Sequence, residues 1–176
     1  MNRRAWILGS VAVAAGAAGA ALSWQKTRLT GDSGNQLGPD FWSQRFERPE
    51  GGELALESLR SASLLLNFWA TWCPPCVEEM PLLDSFYRQH QGAGWQVVGL
   101  AIDSPTPVRE FLARRPVGFP IGLAGLAGTD LSRTLGNANG SLPFTVVVGS
   151  DGRVIERKLG ALSPADLARW AATGGA

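Results

Sequence analysis

Apolar residues along this chain follow two alternating periods. The run Leu64-Leu65-Leu66-Asn67-Phe68-Trp69 is apolar at odd and even positions alike except for one asparagine, which predicts a strand buried on both faces. From Val77 to Gln91 the apolar positions Met80, Leu83, Phe86 and Tyr87 recur at spacings of three and four, the period of a helix. Gly92 to Gly94 interrupts that helix, and Trp95 to Ile102 repeats the pattern of a buried strand. Asp103 or Ser104 is placed to cap a second helix that starts at Pro105 or Pro107 and turns Val108, Phe111 and Leu112 inward.

Shorter elements follow. Phe119 to Leu123 reads as a brief strand, and Thr129 to Leu135 as a brief helix ended by Gly136-Asn137. Phe144 to Gly149 and Val154 to Leu159 flank Ser150-Asp151-Gly152-Arg153, a pattern that predicts two strands joined as a hairpin. Ser163 before Pro164 opens a last helix, with a serine N-cap and a proline in the first turn. Upstream, Leu54-Ala55-Leu56 predicts a short strand and Ser58-Leu59-Arg60 a turn toward the first buried strand. Strand–helix–strand–helix followed by a hairpin and a closing helix predicts an α/β fold: a central mixed sheet with helices on both faces.

The N-terminal stretch follows a different pattern. Asn2-Arg3-Arg4 precedes an uncharged run from Ala5 to Leu22 made mostly of alanine, glycine and valine. Residues 1–22 are expected to form an export signal with small-residue cleavage after Ala18-Gly19-Ala20, or else an N-terminal membrane anchor spanning residues 5–22. Positive charge ahead of the run places the rest of the chain outside the cytoplasm under either reading, in the periplasm. With no cysteine near it, the run offers no N-terminal Cys for lipid attachment. Residues 23–49 are polar, bear Gly31, Gly34, Gly38 and Pro39, and are expected to be a tether, with Phe41, Trp42 and Phe46 docking on the domain edge. Residues 50–176 are expected to be the folded domain.

Composition narrows the function classes. The 176 residues carry a formal net charge of +1, which gives no electrostatic footprint for nucleic acid. Both cysteines, Cys73 and Cys76, lie in Phe68-Trp69-Ala70-Thr71-Trp72-Cys73-Pro74-Pro75-Cys76. They sit where the first buried strand passes into the first helix, so Cys73 meets unpaired backbone N–H groups and the positive end of the helix dipole, which favour a thiolate. Two thiols two residues apart can close a small ring. Outside the cytoplasm such a ring persists, yet as a passive staple it would remove little chain entropy. The lone histidine, His90, falls near the C-terminal end of the first helix, where a positive side chain suits the dipole.

Taken with Leu142-Pro143-Phe144-Thr145, that cysteine-bearing run resembles the thioredoxin superfamily, and within it the exported or membrane-tethered TlpA-like and ResA-like thiol-disulfide reductases. The likeness extends over about residues 53–170. It implies a thioredoxin-like fold, with Cys73 as the attacking cysteine and Cys76 as the resolving one. It implies further that Pro143 is the cis-proline opposite the pair, leaving the Leu142 backbone to bind an extended substrate, and that Pro81 marks a helix kink. By the same resemblance Glu79 matches a functional glutamate able to exchange a proton with Cys76; a solvated helix face shared with Glu78 is the plainer reading. Asn67 stands where ordinary thioredoxins carry a buried aspartate, which adds weight to Glu79. Trp69 and Trp72 are expected to wall the site, Trp72 with Pro74 and Pro75 touching substrate.

The implied activity is a protein-disulfide reductase that needs no cofactor beyond the redox-active Cys73–Cys76 disulfide. The implied clients are proteins with oxidised cysteines, apocytochromes c or copper-site proteins under assembly, with electrons supplied by a membrane thiol donor. Two alternatives differ in class: a thiol oxidase that installs disulfides, and a Cu(I)-binding or metallochaperone module using both thiolates. Structural zinc would want four ligands, and haem attachment would want a histidine where Val77 follows Cys76. No metal site is expected.

Overall fold

The computed structural model describes residues 35–173, so the expected signal or anchor lies outside the described residues, as does the first part of the expected tether, residues 23–34. Among the described residues a seven-stranded sheet carries the fold, in the order β2-β1-β5-β4-β3-β6-β7. The strands are β1 (Arg45–Glu47), β2 (Glu53–Ala55), β3 (Ser63–Trp69), β4 (Trp95–Ala101), β5 (Ile121–Leu123), β6 (Phe144–Val148) and β7 (Val154–Leu159). The helices are α1 (Pro39–Trp42), α2 (Pro74–His90), α3 (Pro105–Arg114), α4 (Gly125–Thr134) and α5 (Pro164–Thr173). Among the described residues no helix is long and apolar enough to cross a membrane.

The sheet is mixed. β3, β4 and β5 run parallel, and antiparallel pairs close both sides: β6 and β7 beyond β3, β1 and β2 beyond β5. Every residue of β3 is buried, as an apolar run on both faces requires of a central strand. Strand alternation divides its side chains between two cores. Leu65 and Trp69 join Val97, Ala101 and Val147 beneath α2, α3 and α5. Leu64, Leu66 and Phe68 join Val98, Leu100 and Val146 on the opposite face, against α1 and the end of α4. Each fully buried aliphatic or aromatic side chain contributes about 1.5–3 kcal/mol, so the sheet is held from both sides. Asn67 falls in the same alternation as Leu65 and Trp69, and so faces α2.

Three expectations change. The folded unit begins at Leu37 rather than at residue 50. The end of the expected tether supplies α1 and β1, with Phe41, Trp42 and Phe46 buried and β1 paired to both β2 and β5. A three-residue strand with one inward residue shows no period, and composition alone made it look like linker. Second, α4 starts at Gly125 rather than Thr129, because two glycines disguise its first turn. Gly128 is required there: a Cβ on it would lie 2.7 Å from Ala124 Cβ and 3.1 Å from Ile102 Cγ1. Third, Ser104 is the N-cap of α3 but makes no side-chain cap hydrogen bond, while Asp103 turns elsewhere.

Candidate active site

β3 carries the chain up to Trp69 and a short turn brings it to Cys73, the N-cap of α2. The turn is closed by the Cys73 N–H donating to the Ala70 carbonyl (3.3 Å), and the first helical bond runs from the Val77 N–H to the Cys73 carbonyl (3.1 Å). Pro74 and Pro75 take the first helical positions, where a fixed φ suits the helix and a missing N–H costs no hydrogen bond. Cys73 and Cys76 form a disulfide, with Cα atoms 5.3 Å apart. Cys76 is fully buried, and Cys73 is 5% exposed. Cys73 is thus the slightly more open of the two, yet both are buried while the disulfide is closed.

The two prolines shape the chemistry at Cys73. Of the first four residues of α2, Pro74 and Pro75 have no N–H and the Val77 N–H is engaged, so Cys76 is the one whose N–H can face a Cys73 thiolate. The helix dipole still favours the anion, but two of its usual donors are missing.

Glu79 lies one turn beyond Cys76 and is 4% exposed, which overturns the plainer reading of a solvated acid. Its Oε1 accepts from Asn67 Nδ2 (2.8 Å) and its Oε2 from the Leu162 N–H (2.8 Å). Burial pushes its pKa up from the ordinary glutamate value, against the Leu162 and Asn67 hydrogen bonds and the charge of Lys158, which pull it down. Asn67 Nδ2 also donates to Thr145 Oγ1 (3.0 Å), while Asn67 Oδ1 is buried with no hydrogen-bond partner. An amide can serve both states of its neighbour: Nδ2 donates to the carboxylate, and after a half-turn Oδ1 accepts from the protonated acid. The aspartate of ordinary thioredoxins at this place would instead set two carboxylates against each other.

The other predicted residues gather nearby. The Leu142–Pro143 peptide bond is cis. β6 pairs with β3 as far as Phe144 opposite Phe68, and one further residue in that register sets Pro143 beside Trp69, at the sheet end that leads to Cys73. Leu142 lines a cleft of about 510 Å³ with Trp72, Ile102, Asp103, Leu126 and Thr129. Trp72, the residue before Cys73, is 67% exposed and Leu126 88%, so the cleft has an open apolar rim. Trp69 is buried against Phe111, with ring centroids 5.3 Å apart. Pro81 sits inside α2 and leaves the Val77 carbonyl without its intrahelical donor. His90 closes the far end of α2, its ring 4.6 Å from that of Phe86.

Asp103 has a role in the site that its place in the sequence does not by itself show. Its Oδ2 accepts from the Thr71 N–H (3.0 Å) and from Thr71 Oγ1 (2.5 Å), and its Oδ1 from the Ser104 N–H (2.7 Å). It therefore braces the turn before Cys73. The available signal was its place at the carboxyl end of a strand beside the cysteine-bearing strand, where sites of α/β sheets collect.

A disulfide at a helix N-terminus, a buried carboxyl one turn away and a strand end closed by a cis-proline define a thioredoxin-like redox centre. The Redoxin family matches residues 32–171. Thiol-disulfide oxidoreductase ResA of Bacillus cereus is 31% identical over 112 residues, 63% of this chain and 62% of that protein. The ResA of Geobacillus thermodenitrificans is 30% identical over 144 residues, 80% of this chain and 78% of that one. Among solved structures, a putative thiol:disulfide interchange protein DsbE from Chlorobium tepidum superposes with a TM-score of 0.69 at 21% identity, over 82% of this chain and 99% of the other. A thioredoxin-related protein from Neisseria meningitidis serogroup B does so with 0.65 at 29% identity, over 74% and 98%. The chain belongs to the Redoxin family, as a ResA-like member of the thioredoxin superfamily. It spans about 62% of the length of the first of these curated relatives.

Proposed function

We propose that this protein is an exported thiol-disulfide oxidoreductase that works as a reductase of client-protein disulfides. The observation that carries the reading is the Cys73–Cys76 disulfide seated at the start of α2, one turn from the buried Glu79. In the reduced enzyme, the Cys73 thiolate attacks one sulfur of a client disulfide; the other client sulfur leaves as a thiolate and takes up a proton. Cys76, losing its proton, then attacks Cys73 Sγ, which closes the enzyme disulfide and expels the second client sulfur. Two electrons pass to the client, and a membrane thiol donor restores the dithiol. Glu79 is the group that takes the Cys76 proton and later returns it.

The direction follows from the Pro-Pro pair. A couple becomes oxidising when its reduced form is stabilised, chiefly as a thiolate. Removing two N–H donors from the first turn withholds that stabilisation and favours the disulfide, which makes the dithiol a better electron donor. The cleft lined by Trp72 and Leu142 suits an extended client segment, and Pro74 and Pro75, which follow Cys73 in the chain, are the residues such a segment would touch next. The clients are apocytochromes c or copper-site proteins whose cysteines need reducing before they take their metal or haem. Residues 1–22 carry the export of the chain, by signal or anchor.

Equilibration of the Cys73–Cys76 couple against defined thiol buffers tests this. A potential near that of thioredoxin, about −270 mV or lower, is the expected result. A value near about −120 mV would make the protein an oxidant and reverse the proposed flow of electrons.

A further inference from the structure

Three adjacent strands place three polar residues in one row beneath α2. Asn67 on β3 is opposite Thr145 on β6, and Thr145 is opposite Lys158 on β7. Directly opposed residues of paired strands point to the same face, so the row runs from the buried Asn67 to the partly exposed Lys158 at the sheet edge. Glu79 meets the buried end of the row through Asn67. At the outer end, Lys158 Nζ lies 3.0 Å from Asp166 Oδ2 in the first turn of α5. The same Asp166 oxygen accepts from Ser163 N (2.9 Å) and Ser163 Oγ (2.6 Å), and Ser163 follows Leu162, whose N–H binds Glu79.

One ammonium is therefore in contact with Asp166, whose Oδ1 also meets Arg169 Nη2 at 3.4 Å, and is within electrostatic reach of Glu79. The groups that bear on Glu79 are Asn67 from β3, Lys158 from β7 and the Leu162 N–H before α5; Thr145 of β6 and Asp166 of α5 are reached only through Asn67 and Lys158. Cys76 and Glu78 share its own helix. Lys158 is the one cation in that set. We propose that Lys158 is a positioning residue that sets the charge state of Glu79, and that Asp166 regulates it by holding the ammonium at the mouth of the row. The mouth of the row is thus a control point for the redox site on a different element from the cysteines.

The geometry gives opposite signs for two substitutions. In K158M the cation is lost while Asp166 keeps its negative charge, so Glu79 holds its proton to higher pH. In D166N a negative charge is lost and the ammonium is released toward Glu79, so Glu79 gives up its proton at lower pH. A merely structural role would move both variants the same way, or neither.

The test follows the Glu79 side-chain carboxyl by carbon NMR through a pH titration of the oxidised full chain, which reads protonation without relying on catalysis. K158M is expected to raise the proton-binding constant about threefold or more, and D166N to lower it by a similar factor. K158Q guards against a folding defect peculiar to methionine, and K158R is expected to restore the wild-type midpoint. An unmoved midpoint in both K158M and K158Q, or displacement of K158M and D166N in the same direction, overturns the inference. The inference rests on the proposed function only for its consequence, that the pH profile of disulfide reduction follows the carboxyl midpoint. Should the midpoint move while the rate profile stays, Lys158 keeps its role and the proton transfer proposed for Glu79 falls.

Discussion

Thr71 and Asp103 occupy equivalent places two residues beyond the ends of neighbouring strands. β3 and β4 pair in parallel as far as Trp69 opposite Ala101, and two residues further along each chain the Asp103 carboxylate receives the Thr71 N–H and hydroxyl. The sheet thus continues past its last backbone pair as a side-chain clasp, and the turn that presents Cys73 is held at its base. A carboxylate that accepts two hydrogen bonds from one residue restrains both its backbone and its side chain.

Removing that clasp should loosen the turn. D103A is expected to lower stability by about 1.5–3 kcal/mol, the range for hydrogen bonds to a charged group. Amide exchange at Thr71 should rise while exchange in β3 stays slow. Unchanged protection at Thr71 would show that the turn is held by other contacts.

Serine at Cys76 separates the two chemical steps. With Cys73 retained, C76S should attack a client disulfide and then stall, because no second thiol remains to expel the client. A covalent complex that a small thiol releases should accumulate, read as a mass increase equal to one client. Turnover by C76S at the wild-type rate would remove Cys76 from the resolving role.

Glu79 should show in the pH dependence of stability. Burial raises its folded pKa above the unfolded value, so the native state binds the extra proton more tightly than the unfolded chain. The wild type therefore loses stability as pH rises from the ordinary glutamate range through the raised value. E79Q, which cannot ionise, should gain relative to wild type over that same window, in denaturant midpoints measured at pH 4 and pH 8. The E79Q rate profile should lose the limb that reports this group. A wild-type minus E79Q difference that is flat with pH would mean Glu79 keeps an ordinary pKa in the fold.

At Gly128 two effects compete. Alanine improves helix propensity by about 1 kcal/mol. Its Cβ would stand 2.7 Å from Ala124 Cβ and 3.1 Å from Ile102, and overpacking of that kind costs about 1–3 kcal/mol. The steric effect should win, so G128A is expected to be net destabilised by up to about 2 kcal/mol in thermal or denaturant unfolding. Because Ile102 lines the cleft, client affinity should weaken as well. A stabilised G128A would mean α4 moves off Ile102 freely.

The long elements and the cysteine-bearing turn were legible because each answers to local pattern. β3 and β4 are seven-residue apolar runs, α2 carries its apolar residues at helical spacing, and the strand-to-helix junction puts Cys73 at an N-cap. Short elements with one inward residue are not legible, and β1 falls in the stretch whose composition reads as tether for that reason. The site divides along the same line. Spacing is enough to mark Cys73 and Cys76 as candidates, and Glu79 becomes one only through the resemblance to ResA-like proteins. The burial of Glu79 is not legible, since Glu78 and Glu79 read alike until α2 is set on the sheet and Leu162 closes over one of them.

The sequence by itself determined the buried strands, the helix that follows them and the two thiols at their junction, because those depend on neighbours a few residues away. Only the tertiary structure decided which polar groups meet. Asn67 and Glu79 are 12 residues apart, Thr71 and Asp103 32, Asn67 and Thr145 78, and Glu79 and Leu162 83. Such pairs are made by strand register and by the docking of α2 and α5 on one face, and an isolated polar residue in the chain carries no local mark of the partner that burial will give it.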